Sequence, residues 1–218
     1  FSLCKFNAKQ VIENHLSKED KYNFAFKDLK NYLNNVNDIN KIEAYDVSHI
    51  SGDHAVASCV VFSNKGACKK EYRLFNIPKE LSGNDVGSLE HVIERRLKYY
   101  KNPEVKPSLI LIDGGKNQLN YVHSVIDKSN YRDIKVISIV KGINRIRATE
   151  TILSHDGSVE FDKYSKAYLL LQEIRDESHR FAIAAQRKKK RVSIKKSKLD
   201  IIDGIGIVLK KRLILKFK

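Results

Sequence analysis

Two aspartates and a histidine, Asp46, Asp113 and His179, are the side chains of this sequence with the most chemistry to offer, and each falls where a regular element would project it. In Ile42-Glu43-Ala44-Tyr45-Asp46 the alternation of a strand sets Asp46 on the face of Ile42 and Ala44, so a carboxylate continues an apolar row directed at the core. A charge in that place is costly unless a cation meets it. The apolar run Leu109-Ile110-Leu111-Ile112 reads as a strand covered on both faces, and it ends at Asp113-Gly114-Gly115. The second carboxylate therefore stands at a strand's carboxyl end, where open α/β sheets build their sites. His179 borders, without joining, the helical stripe Ala167, Leu170, Leu171, Ile174, Phe181, Ala182 and Ala185, with Arg175 one turn before it and Asp176 three residues back. Two carboxylates and an imidazole converging on one sheet edge suit divalent-metal phosphodiester chemistry. The convergence is an expectation, because spacing along a chain does not bring residues together.

The elements that must position them read as follows. Residues 1 to about 40 form two amphipathic helices, the second marked by Phe26, Leu29 and Leu33, and close on the polar break Asn34-Asn35-Val36-Asn37-Asp38. Strands follow over Ile42 to Val47, Ala55 to Phe62 and Glu71 to Asn76, joined by turns at 51–54 and 64–66, which makes an antiparallel meander. Asp85 to Tyr100 is a helix with Val86, Leu89, Val92, Ile93 and Leu97 on one face, capped by Asn84-Asp85. After the Leu109 strand come a helix over Gln118 to Ile126 and a strand over Ile134 to Val140, so the order has changed to β-α-β and the pairing to parallel. A basic loop over 141–150, an edge hairpin over Ile152 to Phe161 and a long helix from about Ser165 to Lys190 complete the core. This is the order of a ribonuclease-H-like fold, an α/β mixed sheet flanked by helices. That fold carries acidic residues on its first strand and on the parallel strand after its first helix.

A chain of 218 residues buries one substantial core and a small appendage. No Met occurs, even at position 1, so the sequence is expected to be a fragment or a processed product. Cys4, Cys59 and Cys68 form no CxxC pair and are odd in number, which argues against a zinc site and a disulfide framework and for a reducing cytoplasm. No apolar stretch is long enough to span a membrane, and no signal-peptide pattern opens the chain. From Arg187 to Lys218 there are 13 lysines and arginines against Asp200 and Asp203, which is +11 of the formal +15. So localised a field is an electrostatic footprint for nucleic acid. An AT-rich genome, which inflates Lys, Asn and Ile everywhere, is the other source of such a tail. An anionic membrane is disfavoured, since Arg187 to Lys198 offers only Val192 and Ile194 as an apolar face.

Several stretches together resemble a known family. Ile42-Glu43-Ala44-Tyr45-Asp46-Val47-Ser48-His49, Val56-Ala57-Ser58-Cys59-Val60-Val61-Phe62, Tyr72-Arg73, Phe75-Asn76-Ile77, Leu111-Ile112-Asp113-Gly114-Gly115-Lys116 and Arg175-Asp176-Glu177-Ser178-His179-Arg180 are similar, in order, to the C-terminal half of UvrC, the nuclease component of the bacterial excinuclease. The resemblance runs from about Phe6 to Phe217. It implies a ribonuclease-H-like endonuclease domain over 41–190 behind a helical linker over 1–40, with a partial helix-hairpin-helix over 197–218. The implied activity is the metal-dependent incision 5′ to a DNA lesion in nucleotide excision repair. The separate nuclease domain that makes the 3′ cut would lie outside this sequence. The implied partners are damaged double-stranded DNA and the lesion-loading excinuclease component UvrB, with UvrA in the pathway.

Carried over by position, the resemblance makes Asp46, Asp113 and His179 catalytic, with Asp46 and Asp113 holding Mg²⁺ or Mn²⁺ and His179 acting as ligand or general base. Asp85 matches a further required aspartate, against the plainer reading of a helix cap. Lys141, Arg145 and Glu150 lie in a loop that also resembles the family, although Asn144 and Ala148 replace its usual Asp and Gly; Lys141, Arg145 and Arg180 are expected DNA contacts, and Lys116, after the glycine pair, is either a phosphate contact or a solvated lysine. Leu199 to Gly206 resembles the first hairpin of a helix-hairpin-helix module, in which Gly204 and Gly206 admit a phosphate to backbone N–H groups and Lys210 and Lys211 add charge. Ile207-Val208-Leu209 stands where that module usually has proline and basic residues, which leaves a plain apolar helix as the other reading.

Two functions are therefore open: a metal-dependent endonuclease, and a DNA-binding or docking module whose centre has degenerated. The intact Asp46, Asp113 and His179 favour the first. Nucleotide hydrolase and dinucleotide readings fail for want of a GxxxxGK[ST] or GxGxxG loop.

Overall fold

A computed structural model describes residues 18–33, 38–48, 55–140, 150–195, 199 and 202–217. The first of the two expected N-terminal helices and the loop over 141–149 fall outside these. At the centre is strand β1 (Lys41–Ser48), with β2 (Val56–Ser63) antiparallel on one side and β5 (Leu109–Asp113) parallel on the other. The two-residue β3 (Gly66–Ala67) and β4 (Arg73–Asn76) both pair with β2. Beyond β5 come β6 (Lys135–Val140), parallel, then the antiparallel hairpin of β7 (Thr151–Ser154) and β8 (Gly157–Val159). The order β3-β2-β1-β5-β6-β7-β8 is the expected mixed sheet, with the meander at one edge and the parallel strands at its middle.

Helices cover both faces, which is why β1, β2 and β5 are buried on both sides. One face carries α1 (Lys18–Tyr32) and the long α4 (Lys166–Lys195). There Ile42, Ala44, Leu109 and Leu111 of the sheet meet Phe26 and Leu29 of α1 and Leu170, Leu171 and Ile174 of α4. The other face carries α2 (Asp85–Leu97) and α3 (Lys116–Asp127), where Tyr45, Cys59, Ile110 and Ile112 meet Leu89, Val92, Leu119 and Val122. A short C-terminal helix, α5 (Ile207–Lys216), follows. Among the described residues no helix is long and apolar enough to cross a membrane.

Local chemistry fixes the ends of these elements. Asn84 caps α2 by accepting the Gly87 N–H at 3.0 Å, so Asp85 is the first helical residue and not the cap. The third strand is shorter than the sequence suggests: Lys69–Glu71 form a turn of 3₁₀ helix and pairing starts only at Arg73.

The described part of the N-terminal segment, residues 18–33, packs on the sheet. Ala25, Phe26, Leu29 and Leu33 are all buried in the same cluster as the sheet. Asp28 Oδ2 accepts the Ala167 N–H at 2.9 Å, satisfying one of the unpaired donors that open α4. Glu173, two turns into α4, accepts from the Tyr22 hydroxyl at 2.5 Å and pairs with Lys21 at 3.1 Å. At Gly66, whose φ is +102°, a Cβ would come within 2.7 Å of the Tyr22 ring, so the β2–β3 turn and α1 meet at a distance only glycine permits.

Candidate metal centre

Asp46, Asp113 and His179 do converge. Asp46 lies two residues before the end of β1 and Asp113 is the last residue of β5. Tyr45 pairs with Ile112 in the parallel register, which carries the next residue on each strand, Asp46 and Asp113, to the same carboxyl edge of the sheet. α4 crosses that face and delivers His179 from above. One ligand atom from each of the three lies within 4.8 Å of the other two.

The environments differ in a way that suits a cation. Asp46 is 7% exposed and accepts from the Ser48 hydroxyl at 3.2 Å. Its ion-pair partner among the described residues is His179, whose Nδ1 stands 3.3 Å from Asp46 Oδ2 and whose side chain is 55% exposed. A carboxylate this far from water is costly unless a positive group meets it, and a bound cation would do so. Oxygen donors from two aspartates and one imidazole nitrogen form a set that a hard divalent ion such as Mg²⁺ or Mn²⁺ accepts. The 4.8 Å spread is close to the roughly 4.2 Å that separates opposite ligands of a six-coordinate ion with bonds of about 2.1 Å.

The other expected site residues divide. Lys116 is the first residue of α3, exposed, directly after Asp113-Gly114-Gly115. The turn before it is held by Gln118, whose Oε1 accepts the Gly115 N–H at 2.8 Å; a Cβ on Gly114 would fall 1.9 Å from that same oxygen. Arg180 follows His179 and is exposed, but its guanidinium already bridges Glu177 at 2.6 and 2.7 Å. That pairing, joined by a bond from the Tyr72 hydroxyl, holds the Glu177 carboxyl below its ordinary range. Asp85, on the opposite face from α4, is exposed and is not one of the three converging ligands. Lys141 and Arg145 lie outside the described residues.

In the C-terminal segment Gly204 has φ of +86° and Gly206 is the N-cap of α5. Lys211 is exposed, but Lys210 is only 4% exposed and is turned against the protein rather than toward solvent. Ile207 and Val208 are 83% and 69% exposed, so the first turn of α5 does not bury its apolar side chains.

Three supports of the centre are side chains whose partners the sequence does not name. Glu43, on the opposite face of β1 from Asp46, is fully buried and paired with Arg96 at 2.5 Å. Glu150, at the close of the basic loop, pairs with Arg175 one turn before His179 and accepts from Gln172 at 3.3 Å. Ser58, the cross-strand partner of Asp46, is hydrogen-bonded to Ser178. The available signal for the last is a lone serine inside the apolar run Val56 to Phe62.

Comparison with known proteins gives a consistent result. The family model for the UvrC RNase H endonuclease domain matches residues 30–183. UvrABC system protein C of Nitrosococcus oceani is 39% identical over 212 residues, which is 96% of this chain and 35% of that protein. UvrABC system protein C of Francisella tularensis subsp. holarctica is 32% identical over 218 residues, 99% of this chain and 36% of that protein. The chain thus spans about a third of the length of the curated relatives it matches. Among solved structures, human ENDOV is similar with a TM-score of 0.42 at 13% identity, over 76% of this chain and 98% of that one.

Proposed function

The chain belongs to the UvrC RNase H endonuclease domain family, and we propose that it is a divalent-metal-dependent DNA endonuclease of nucleotide excision repair, making the incision 5′ to a lesion. The observation that carries this reading is the meeting of Asp46, Asp113 and His179 at the carboxyl edge of the sheet. Its substrate is damaged double-stranded DNA, presented by UvrB once UvrA has acted, in the cytoplasm where the chromosome lies.

A bound Mg²⁺ or Mn²⁺ would supply a Lewis acid for a phosphate oxygen and lower the pKa of an attacking water. Asp46 and Asp113 would hold the ion, and the burial of Asp46 keeps competing water from its carboxylate. His179, exposed and held by Asp46, is placed to take a proton from water at its free ring nitrogen, or to complete the ligand set. Lys116 and the opening turn of α3 stand beside Asp113 and would meet phosphates flanking the cut. The hairpin at Gly204 and Gly206 and the basic tail would grip the duplex without reading bases.

The test is incision of a lesion-bearing duplex with the complementary repair proteins present. Asp46→Asn and Asp113→Asn should abolish the 5′ cut while leaving DNA affinity unchanged or raised, because each removes a ligand and also a negative charge facing the phosphate. Wild-type rates from either variant would refute the assignment, and a wild-type chain that binds duplex yet never cuts would support a docking module instead.

A further inference from the structure

We propose that Ser58 and Ser178 form a hydroxyl clamp that sets the reach of His179 to Asp46, which makes both serines positioning residues of the centre. The proposal rests on the reading of Asp46, Asp113 and His179 given above. Ser58 and Asp46 are direct partners across the β1–β2 ladder, so they share a face and stand within about 5.5 Å of each other at Cα. Ser58 Oγ lies 3.1 Å from the Ser178 carbonyl oxygen and 3.0 Å from Ser178 Oγ. A hydroxyl donates once and accepts twice. Ser58 therefore donates to the carbonyl while accepting from the Ser178 hydroxyl, and both groups are satisfied at 0% and 1% exposure. The next residue is His179, whose Nδ1 returns to Asp46 Oδ2 at 3.3 Å. The four residues close a circuit: strand partner, hydroxyl bridge, peptide neighbour, imidazole to carboxylate.

Packing alone would not demand serines here. The surroundings are apolar, with Val60 on β2 and Ile174 and Ala182 on α4, and alanine at either position would carry no polar group to satisfy. Apolar packing tolerates a helix that slides or turns a little on its sheet. Each residue of an α-helix advances about 1.5 Å and turns about 100°, so a small rotation of α4 swings the imidazole along the sheet edge and away from Asp46. A hydroxyl bonded to one particular carbonyl fixes both slide and rotation at the turn that carries His179. Tyr72 to Glu177 at 3.2 Å and the Glu150–Arg175 pair hold the outer side of the same stretch of α4, and the serine bridge adds a bond on the side that faces Asp46.

The experiment measures Mn²⁺ affinity by calorimetry, thermal stability, and steady-state incision with the complementary repair proteins, on wild type, Ser58→Ala, Ser178→Ala and Asp46→Asn. Ser58→Ala removes both bonds and should weaken Mn²⁺ binding about threefold to tenfold, the scale of one or two hydrogen bonds, with a parallel loss in kcat and little change in KM. Ser178→Ala keeps the carbonyl acceptor and should lose about twofold to threefold. A fall in melting temperature with wild-type Mn²⁺ affinity and kcat in both variants would show that the serines only pack the helix, and would overturn the proposal. Should Ser58→Ala fail to fold, Ser178→Ala decides by the same readings. Asp46→Asn separates the two ideas: if it binds Mn²⁺ like wild type, the reading of the centre has failed rather than the clamp.

Discussion

Glu43 and Arg96 form an ion pair almost closed to water: Arg96 Nε and Nη2 donate to Glu43 Oε1 at 3.0 and 2.5 Å, with side-chain exposures of 0% for Glu43 and 5% for Arg96. The other carboxylate oxygen accepts the hydroxyls of Tyr45 and Tyr100 at 2.5 and 2.6 Å. Burial alone would lower the Arg96 pKa, but the bonds to Glu43 and its charge outweigh that and raise it. Both carboxylate oxygens and both phenols thus have partners, and the cluster ties β1 to α2 three residues before Asp46.

Arg96→Met alone should destabilise the fold by about 3–5 kcal/mol, because it strands a buried carboxylate. Adding Glu43→Leu should recover part of that loss, since both charges then leave together. Urea unfolding of the single and double variants checks this. A double variant as unstable as the single would mean that the cost lies in packing and not in charge.

Stability should fall steeply in alkali. Burial, followed by the nearby Cys59 and Glu43 for Tyr45 and by Glu43 for Tyr100, raises both phenols well above their ordinary 10.0. The folded chain therefore keeps protons that the unfolded chain releases above about pH 10, and the stabilisation, complete below that value, is lost as pH rises. Each phenol contributes a slope of up to about 1.4 kcal/mol per pH unit. Tyr45→Phe and Tyr100→Phe should each flatten the dependence of unfolding free energy on pH between about 10 and 11. An unchanged slope would place the alkaline sensitivity elsewhere.

Two histidines should dissociate activity from stability. His123 pairs with Asp127 at 3.1 Å and stacks on His155 at 4.0 Å, so it ties α3 to the β7–β8 hairpin. His123→Ala should lower the melting temperature by a few degrees and leave incision per folded molecule intact. His179→Ala should do the reverse, losing incision while the melting temperature stays near wild type. Asp85→Ala belongs in the same set: Asn84 supplies the cap, so stability should drop by about 1 kcal/mol or less, and any large loss of incision would then mark a direct role.

Deleting Arg187 to Lys218 removes +11 of the formal charge. Binding to all duplex sequences should weaken alike, and the logarithmic salt slope should flatten by about 0.9 for each phosphate no longer neutralised. Incision should recover in part at low salt or high protein concentration. An unchanged slope would mean that the tail's charge reflects composition.

The ends of strands are more legible in this sequence than what lies between them. Asp113 stands out because an unbroken apolar run stops at it, and Asp46 because it continues the row of Ile42 and Ala44. Alternation also puts Glu43 on the opposite face, but a strand buried on both sides does not announce which carboxylate is neutralised by what. Arg96 is 53 residues away, on a helix whose pattern shows only that one face is apolar. The Ser58–Ser178 bond, 120 residues apart, is hidden for the same reason. Phe26, Leu29 and Leu33 show that α1 buries a face, yet periodicity names no partner, so a helix that walls the core reads in sequence as a linker.

That wall has a practical side for anyone trimming the chain. The family match begins at residue 30, inside α1. A protein cut there, or at the first strand, would lose Ala25, Phe26 and Leu29 and lay bare the underside of the sheet. It would also lose Asp28, and with it the acceptor at the start of the helix that carries His179. Such a product would aggregate or cut poorly for reasons of carpentry, with Asp46, Asp113 and His179 still in place, so a faithful fragment keeps α1 from Lys21 onward.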